Sequence, residues 1–179
     1  MRTLLRKSPA VAAAVLLGLA AACGGEVDEE SDGEPTGDAV AETRRAALEV
    51  LDGWTDIHPE GTGTVELAAD DDGTTVTLSV SGLAPETEYP AHVHDGACDA
   101  DPPGGRHWLA DPDAEGGGEP NHIHTYVVTD GEGAGEMTLD SDLVADDRAV
   151  SVVVHASGSN EQLQQAGADR VLCGDLAAG

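Results

Sequence analysis

The sequence predicts an all-β domain, a sandwich or barrel of seven or eight short strands. From Gly61 onward apolar and polar residues alternate at the two-residue period of a half-buried strand. Short Gly- and Asp-rich turns separate these stretches, as hairpin connections require. Apolar residues make up 40% of the chain, enough for a packed core despite its acidity. At 179 residues the length suits one domain with tails.

Residues 1–22 read as a secretion signal. Arg2, Arg6 and Lys7 form a basic start, an apolar run follows from Val11 to Ala22, and small residues precede Cys23. The run is too short to favour a transmembrane anchor. Leu19-Ala20-Ala21-Ala22-Cys23-Gly24-Gly25 resembles a bacterial lipobox, with Ala20 where Leu is usual. On this reading Cys23 is lipidated and holds the protein at the cell envelope; plain secretion with a free Cys23 is the alternative. Residues 23–45 are expected to be an acidic, disordered linker and residues 46–179 the folded domain. Within 24–38 only Val27 is a sizeable apolar side chain. Ala39–Leu51 has the composition of a short helix capped by Asp38, and Ala47–Leu51 equally suits a first strand.

Val65 and Leu67 alternate with polar residues, Asp70-Asp71-Asp72-Gly73 turns the chain, and Val76, Leu78 and Val80 alternate back. Further strands are expected at Tyr89–Asp95, Ile123–Thr129, Gly135–Leu139, Ala149–His155 and Arg170–Leu176. Pro90 suggests an edge strand or bulge. Residues 109–121 carry no pattern, and a long irregular loop in a compact domain is usually functional.

Charge narrows the function. Without the leader, five arginines face 35 acidic residues, a formal charge of −30. Nucleic acid and anionic membrane surfaces need clustered positive charge and are excluded as partners. Beyond Cys23 there are two cysteines, Cys98 and Cys173. In an oxidising compartment they most simply form one disulfide; a pair of thiolate ligands lacks the usual C-x-x-C spacing.

Six of the seven histidines fall between positions 92 and 155. In His92-Val93-His94 both imidazoles project from one strand face, and His122-Ile123-His124 repeats the arrangement. His155 lies opposite the apolar set Val150, Val152 and Val154. His107 follows the turn Pro102-Pro103-Gly104-Gly105 and can join as a loop ligand. Three or four imidazoles without thiolate suit copper(II) or zinc, whereas isolated His-x-His pairs on exposed strands bind nothing. His58, before Pro59, reads as a surface loop residue.

Several blocks carry a family resemblance: Gly82-Leu83-Ala84-Pro85, His92-Val93-His94-Asp95-Gly96-Ala97-Cys98, Gly104-Gly105-Arg106-His107-Trp108, Val152-Val153-Val154-His155-Ala156 and Arg170-Val171-Leu172-Cys173-Gly174. In this order, over roughly residues 62–176, the chain resembles copper/zinc superoxide dismutase. The resemblance implies that family's eight-stranded Greek-key β-barrel of immunoglobulin-like type. It implies copper on His92, His94, His107 and His155, with His107 in the position that bridges to zinc. It further implies a Cys98–Cys173 disulfide, Arg170 as the group that positions superoxide, and dismutation of superoxide to oxygen and hydrogen peroxide.

The sequence also departs from that pattern. No histidine lies between His107 and His122, and Thr125 stands where a zinc aspartate is expected. Zinc therefore lacks its usual ligands, and a copper-only centre is expected. His122, His124 and Asp111, with Asp113 beside it, are candidates for a zinc site or a remodelled one, and His124 has no counterpart. The segment from His155 to Arg170 is short and lacks lysine. Three functions compete: a copper-dependent superoxide dismutase, a copper-binding or buffering envelope lipoprotein without turnover, and a β-domain with degenerate ligands. Oligomeric state is not readable from the residues.

Overall fold

A computed structural model describes residues 42–114, 120–158 and 168–179. The expected signal segment, Cys23 and the linker up to residue 41 lie outside the described residues, as do 115–119 and 159–167. Eight antiparallel strands form a nearly closed barrel: β1 (Glu42–Val50), β2 (Thr62–Ala69), β3 (Thr74–Ser81), β4 (Glu88–His94), β5 (His124–Val128), β6 (Gly135–Ser141), β7 (Ser151–His155) and β8 (Arg170–Asp175). A two-residue β9 (Ala177–Ala178) pairs with β1. Among the described residues no helix is long and apolar enough to cross a membrane.

The strand order is β5-β4-β7-β8-β1-β2-β3-β6. Strand β7 returns to lie beside β4 after the run β4-β5-β6, which is the Greek-key crossover. The hairpin of β2 and β3 follows the alternation read from the sequence. Oδ1 of Asp70 accepts the backbone N–H groups of Asp72 and Gly73 at 2.9 and 3.1 Å, closing an Asx turn. Alternate residues enter one core, in which Leu48, Leu67, Leu78, Ile123, Val127, Val152, Val154 and Trp108 are essentially inaccessible. With no Phe in the chain, Trp108 is the largest buried side chain.

Four expectations are corrected. Residues 42–45, assigned to the linker, are the start of β1, and no helix forms there. Arg44, Ala46, Leu48 and Val50 make the inward row. Arg44 is buried and Nη1 donates to the carbonyl of Ala149 at 2.7 Å, so a cation on the inner face hid the alternation. Strand β4 is interior, between β5 and β7. Pro90 is tolerated because its register pairs it with Tyr126 of β5, one residue before the β7 ladder begins at Ala91. His58 is buried, stacked on Trp54 at 5.8 Å and edge-on to Tyr89 at 6.3 Å.

Candidate metal centre

The site is built on the outer face of β4 and β7. Val93 points into the core, so the period of the strand sends His92 and His94 the other way. On β7, Val152 and Val154 join the core, and Val153 and His155 share the opposite face. That face would meet solvent, yet all five β7 residues are buried. The 95–107 loop covers it.

The loop is fastened at several points. Asp95 N–H donates to Arg106 O, Gly96 N–H to Gly104 O and Ser151 Oγ to Gly96 O, at 2.9, 2.9 and 2.7 Å. A disulfide joins Cys98 to Cys173 on β8, as expected. At Gly104 φ is +80°, and a Cβ there would lie 2.6 Å from Val153 Cγ2. Only glycine lets the loop lie this close. The loop ends by bringing His107 into an isolated bridge with His94.

The result is a set of four imidazoles, His92, His94, His107 and His155, whose ligand nitrogens all lie within 4.8 Å of one another. A second set, His92, His122 and His124, meets the same limit and shares His92. Ring centroids of His92 lie 4.2 Å from His107, 4.5 Å from His124 and 4.8 Å from His155. The structure therefore brings together six of the expected site histidines. It does not bring Asp111: that residue is exposed, its Oδ1 accepts the N–H of Asp113 at 3.0 Å, and its own N–H donates to Asn121 Oδ1 at 2.7 Å. Among the described residues neither histidine set includes Asp111 or Asp113.

Electrostatics favours an occupant that accepts lone pairs. Burial, then the neighbouring histidines beginning with His107, holds His92 far below the usual imidazole range. His94 is lowered by burial first and then by His155, His107 and Arg170. His107 falls to about 4, by burial and then by His122. All three are neutral at pH 7 and so keep a lone pair. Nδ1 of His92 is buried with no hydrogen-bond partner, so its bonding capacity is not spent within the protein and fits a metal ion. Nε2 of His94 and of His155 face each other at 3.3 Å. The set thus fits a metal ion on the donor chemistry and on an orphaned buried nitrogen.

One residue escaped the sequence reading. Asp169 is buried, and its Oδ2 lies 3.0 Å from Nδ1 of His155. With the Nδ1–H donated to this carboxylate, His155 turns its Nε2 lone pair toward the other imidazoles. Its neighbour Arg170 is buried too and donates from Nη1 to the carbonyl of Pro103. A cavity of about 540 Å³ is lined by Asp95, Asp101, Gly105, Arg106, His107, His155 and Arg170. A second, of about 280 Å³, adds Trp108 and Arg148 to Asp95, Arg106 and His107. Three of the five described arginines thus border the two cavities that meet at His107.

Fold and site together define an all-β barrel with a buried histidine cluster able to hold a metal ion. Neither family models nor curated proteins compared with the chain match it.

Proposed function

We propose that the protein is a copper-dependent superoxide dismutase of the cell envelope, lipid-anchored through Cys23. One observation carries the reading: Arg170 lines the same cavity as His107 and His155. A site that only stored a cation gains nothing from a guanidinium beside its ligands; a site that consumes an anion does.

His92, His94, His107 and His155 would hold the copper, an all-imidazole set compatible with both of its oxidation states. When bound, copper supplies the electron transfers by which one superoxide is oxidised to oxygen and a second is reduced to peroxide. The protein does the rest. Arg170 draws the anion into the cavity and orients it beside His107 and His155, its position fixed by Pro103 O and the disulfide-tied loop. Arg106 stands at the same cavity, 90% exposed and 3.1 Å from Asp95 Oδ2, so the pair screens itself and Arg170 gives the larger local field. Among the described residues no carboxylate joins the histidine sets, so the aspartate of the resembled family's zinc site has no counterpart in them.

A second reading keeps copper without turnover. Six clustered imidazoles and a net charge of −30 once the expected leader is removed favour a copper buffer. Superoxide decay after pulse radiolysis, measured on copper-loaded, disulfide-intact protein, separates the two. The dismutase reading expects decay well above that of an equal concentration of free copper. Decay no faster than that control sinks it and leaves the buffer.

A further inference from the structure

We propose that His122 and His124, with His92, form an entry seat for copper, from which the ion passes inward to the seat made by His92, His94, His107 and His155. The proposal rests on the copper reading above but not on turnover. Three observations carry it.

The first is that His92 belongs to both sets. A neutral imidazole has one protonated nitrogen and one with a lone pair, so while His92 keeps its N–H it serves one ion at a time. The two sets are therefore alternative seats for a single ion, separated by a short step across one ring. His122 and His124 are positioned for this: their rings are stacked at 12°, with centroids 5.5 and 4.5 Å from that of His92.

The second is a gradient of access. His122 and His124 are only partly buried and line a groove of about 390 Å³. His94 and His155 are 0% and 2% exposed. An ion arriving through this groove meets the outer pair before the inner one.

The third is charge. The groove at His122 and His124 is bordered by the exposed carboxylates of Asp140 and Asp142 and by no arginine. The cavities at His107 and His155 are bordered by Arg106, Arg148 and Arg170 together with Asp95 and Asp101. The acidic groove and the larger, arginine-lined cavity have no lining residue in common. A cation is attracted more strongly at the first, where no guanidinium offsets the carboxylates, than at the second, where Arg106 and Arg170 balance Asp95 and Asp101 and Arg170 offers an anion a foothold. The metal and the anion accordingly use separate entrances, and the acidity that works against superoxide capture works for metal capture.

The test is stopped-flow uptake of Cu(II) by the metal-free, disulfide-intact protein, followed by ligand-field absorbance and by paramagnetic resonance of the end state. In the unchanged protein a fast binding phase and a slower change of spectrum are expected, ending with one copper per chain. In the double variant His122→Ala/His124→Ala the fast phase disappears and uptake slows about tenfold, with the same final copper signal. Asp140→Asn/Asp142→Asn slows the fast phase alone and makes it less sensitive to salt. In His155→Ala copper stops at the outer seat, giving the early spectrum as the final one. Uptake by the histidine double variant at the unchanged rate, or two coppers bound at once by the unchanged protein, overturns the proposal. If copper-loaded protein shows no dismutase activity but these uptake results hold, the enzyme reading fails and the entry seat stands.

Discussion

Asp169 Oδ2 lies 3.0 Å from His155 Nδ1, with 0% and 3% of the two side chains exposed. A carboxylate this deeply buried is costly unless it holds a specific hydrogen. Here it fixes which nitrogen of His155 faces the cluster. It also precedes Arg170 in the chain, so one stretch of backbone places both the carboxylate behind His155 and the guanidinium that lines the cavity.

The Asp169→Asn variant keeps the shape and still accepts the Nδ1 hydrogen, but removes the charge. Copper affinity is expected to fall about tenfold, as for other outer-shell partners of ligating histidines. Competition against a chelator measures it, with far-ultraviolet dichroism as the control for folding. Unchanged affinity would mean that Asp169 only fills space.

Replacing Arg170 with Gln should leave copper content unaltered and lower the superoxide rate constant about tenfold, since local field is lost and not the metal. If the dismutase reading holds, the unchanged protein should run faster as salt is added, because the long-range repulsion from its net negative charge, −27 over the full chain, is screened first. A variant as fast as its parent would show that Arg170 serves only to brace Pro103.

The Cys98–Cys173 bridge closes a span of 75 residues. On the chain-entropy estimate its loss in Cys98→Ser/Cys173→Ser costs about 4 kcal/mol of stability. Denaturant melts of the metal-free protein would show it as a lower midpoint. Because Cys98 sits in the loop that carries Pro103 and His107, the superoxide rate should fall even at temperatures where the barrel persists.

Acid should destabilise the metal-free protein in a particular window. His92, His94 and His107 all titrate below the value near 6.5 of an unfolded histidine. Between those values the unfolded chain holds protons that the folded chain refuses. Stability is therefore complete above about pH 6.5 and drops as pH falls, with a slope of up to about 1.4 kcal/mol per pH unit for each group. Melts between pH 7 and pH 5 would reveal it, and His92→Gln should flatten the slope. An identical slope in that variant would assign the acid sensitivity elsewhere.

The alternation of β2 and β3, the turn at Asp70 and the His-x-His pairs announce themselves because each is a local pattern with one geometric meaning. What escaped depends on partners far along the chain. Ala47–Leu51 was open to reading as a helix or as a first strand, and the earlier half of β1 was hidden because Arg44 occupies an inward position where its guanidinium donates to the carbonyl of Ala149. His58 looked like a surface residue because the rings that bury it are Trp54 and, more than thirty residues on, Tyr89. Asp169 is one of 35 acidic residues, with no spacing to mark it. Asp111 looked available because its ties to Asp113 and Asn121 form only in the folded loop. His122 and His124 were visible as a pair, but not that they share His92 with the inner set.

Strand β1 is the first described strand to leave the ribosome, and its partners β8 and β9 are the last. Glu49 and Val50 pair with Cys173 and Leu172, and Arg44 pairs with Ala178. The barrel can therefore close only after almost the whole domain has emerged. His155, Asp169, Arg170 and the second bridge cysteine all arrive in that final stretch. A nascent or half-threaded chain holds His92, His94 and His107 without His155 or the carboxylate that orients it. Order of synthesis thus acts as a timer: the complete inner seat exists only once folding has finished, in whatever compartment the chain then occupies.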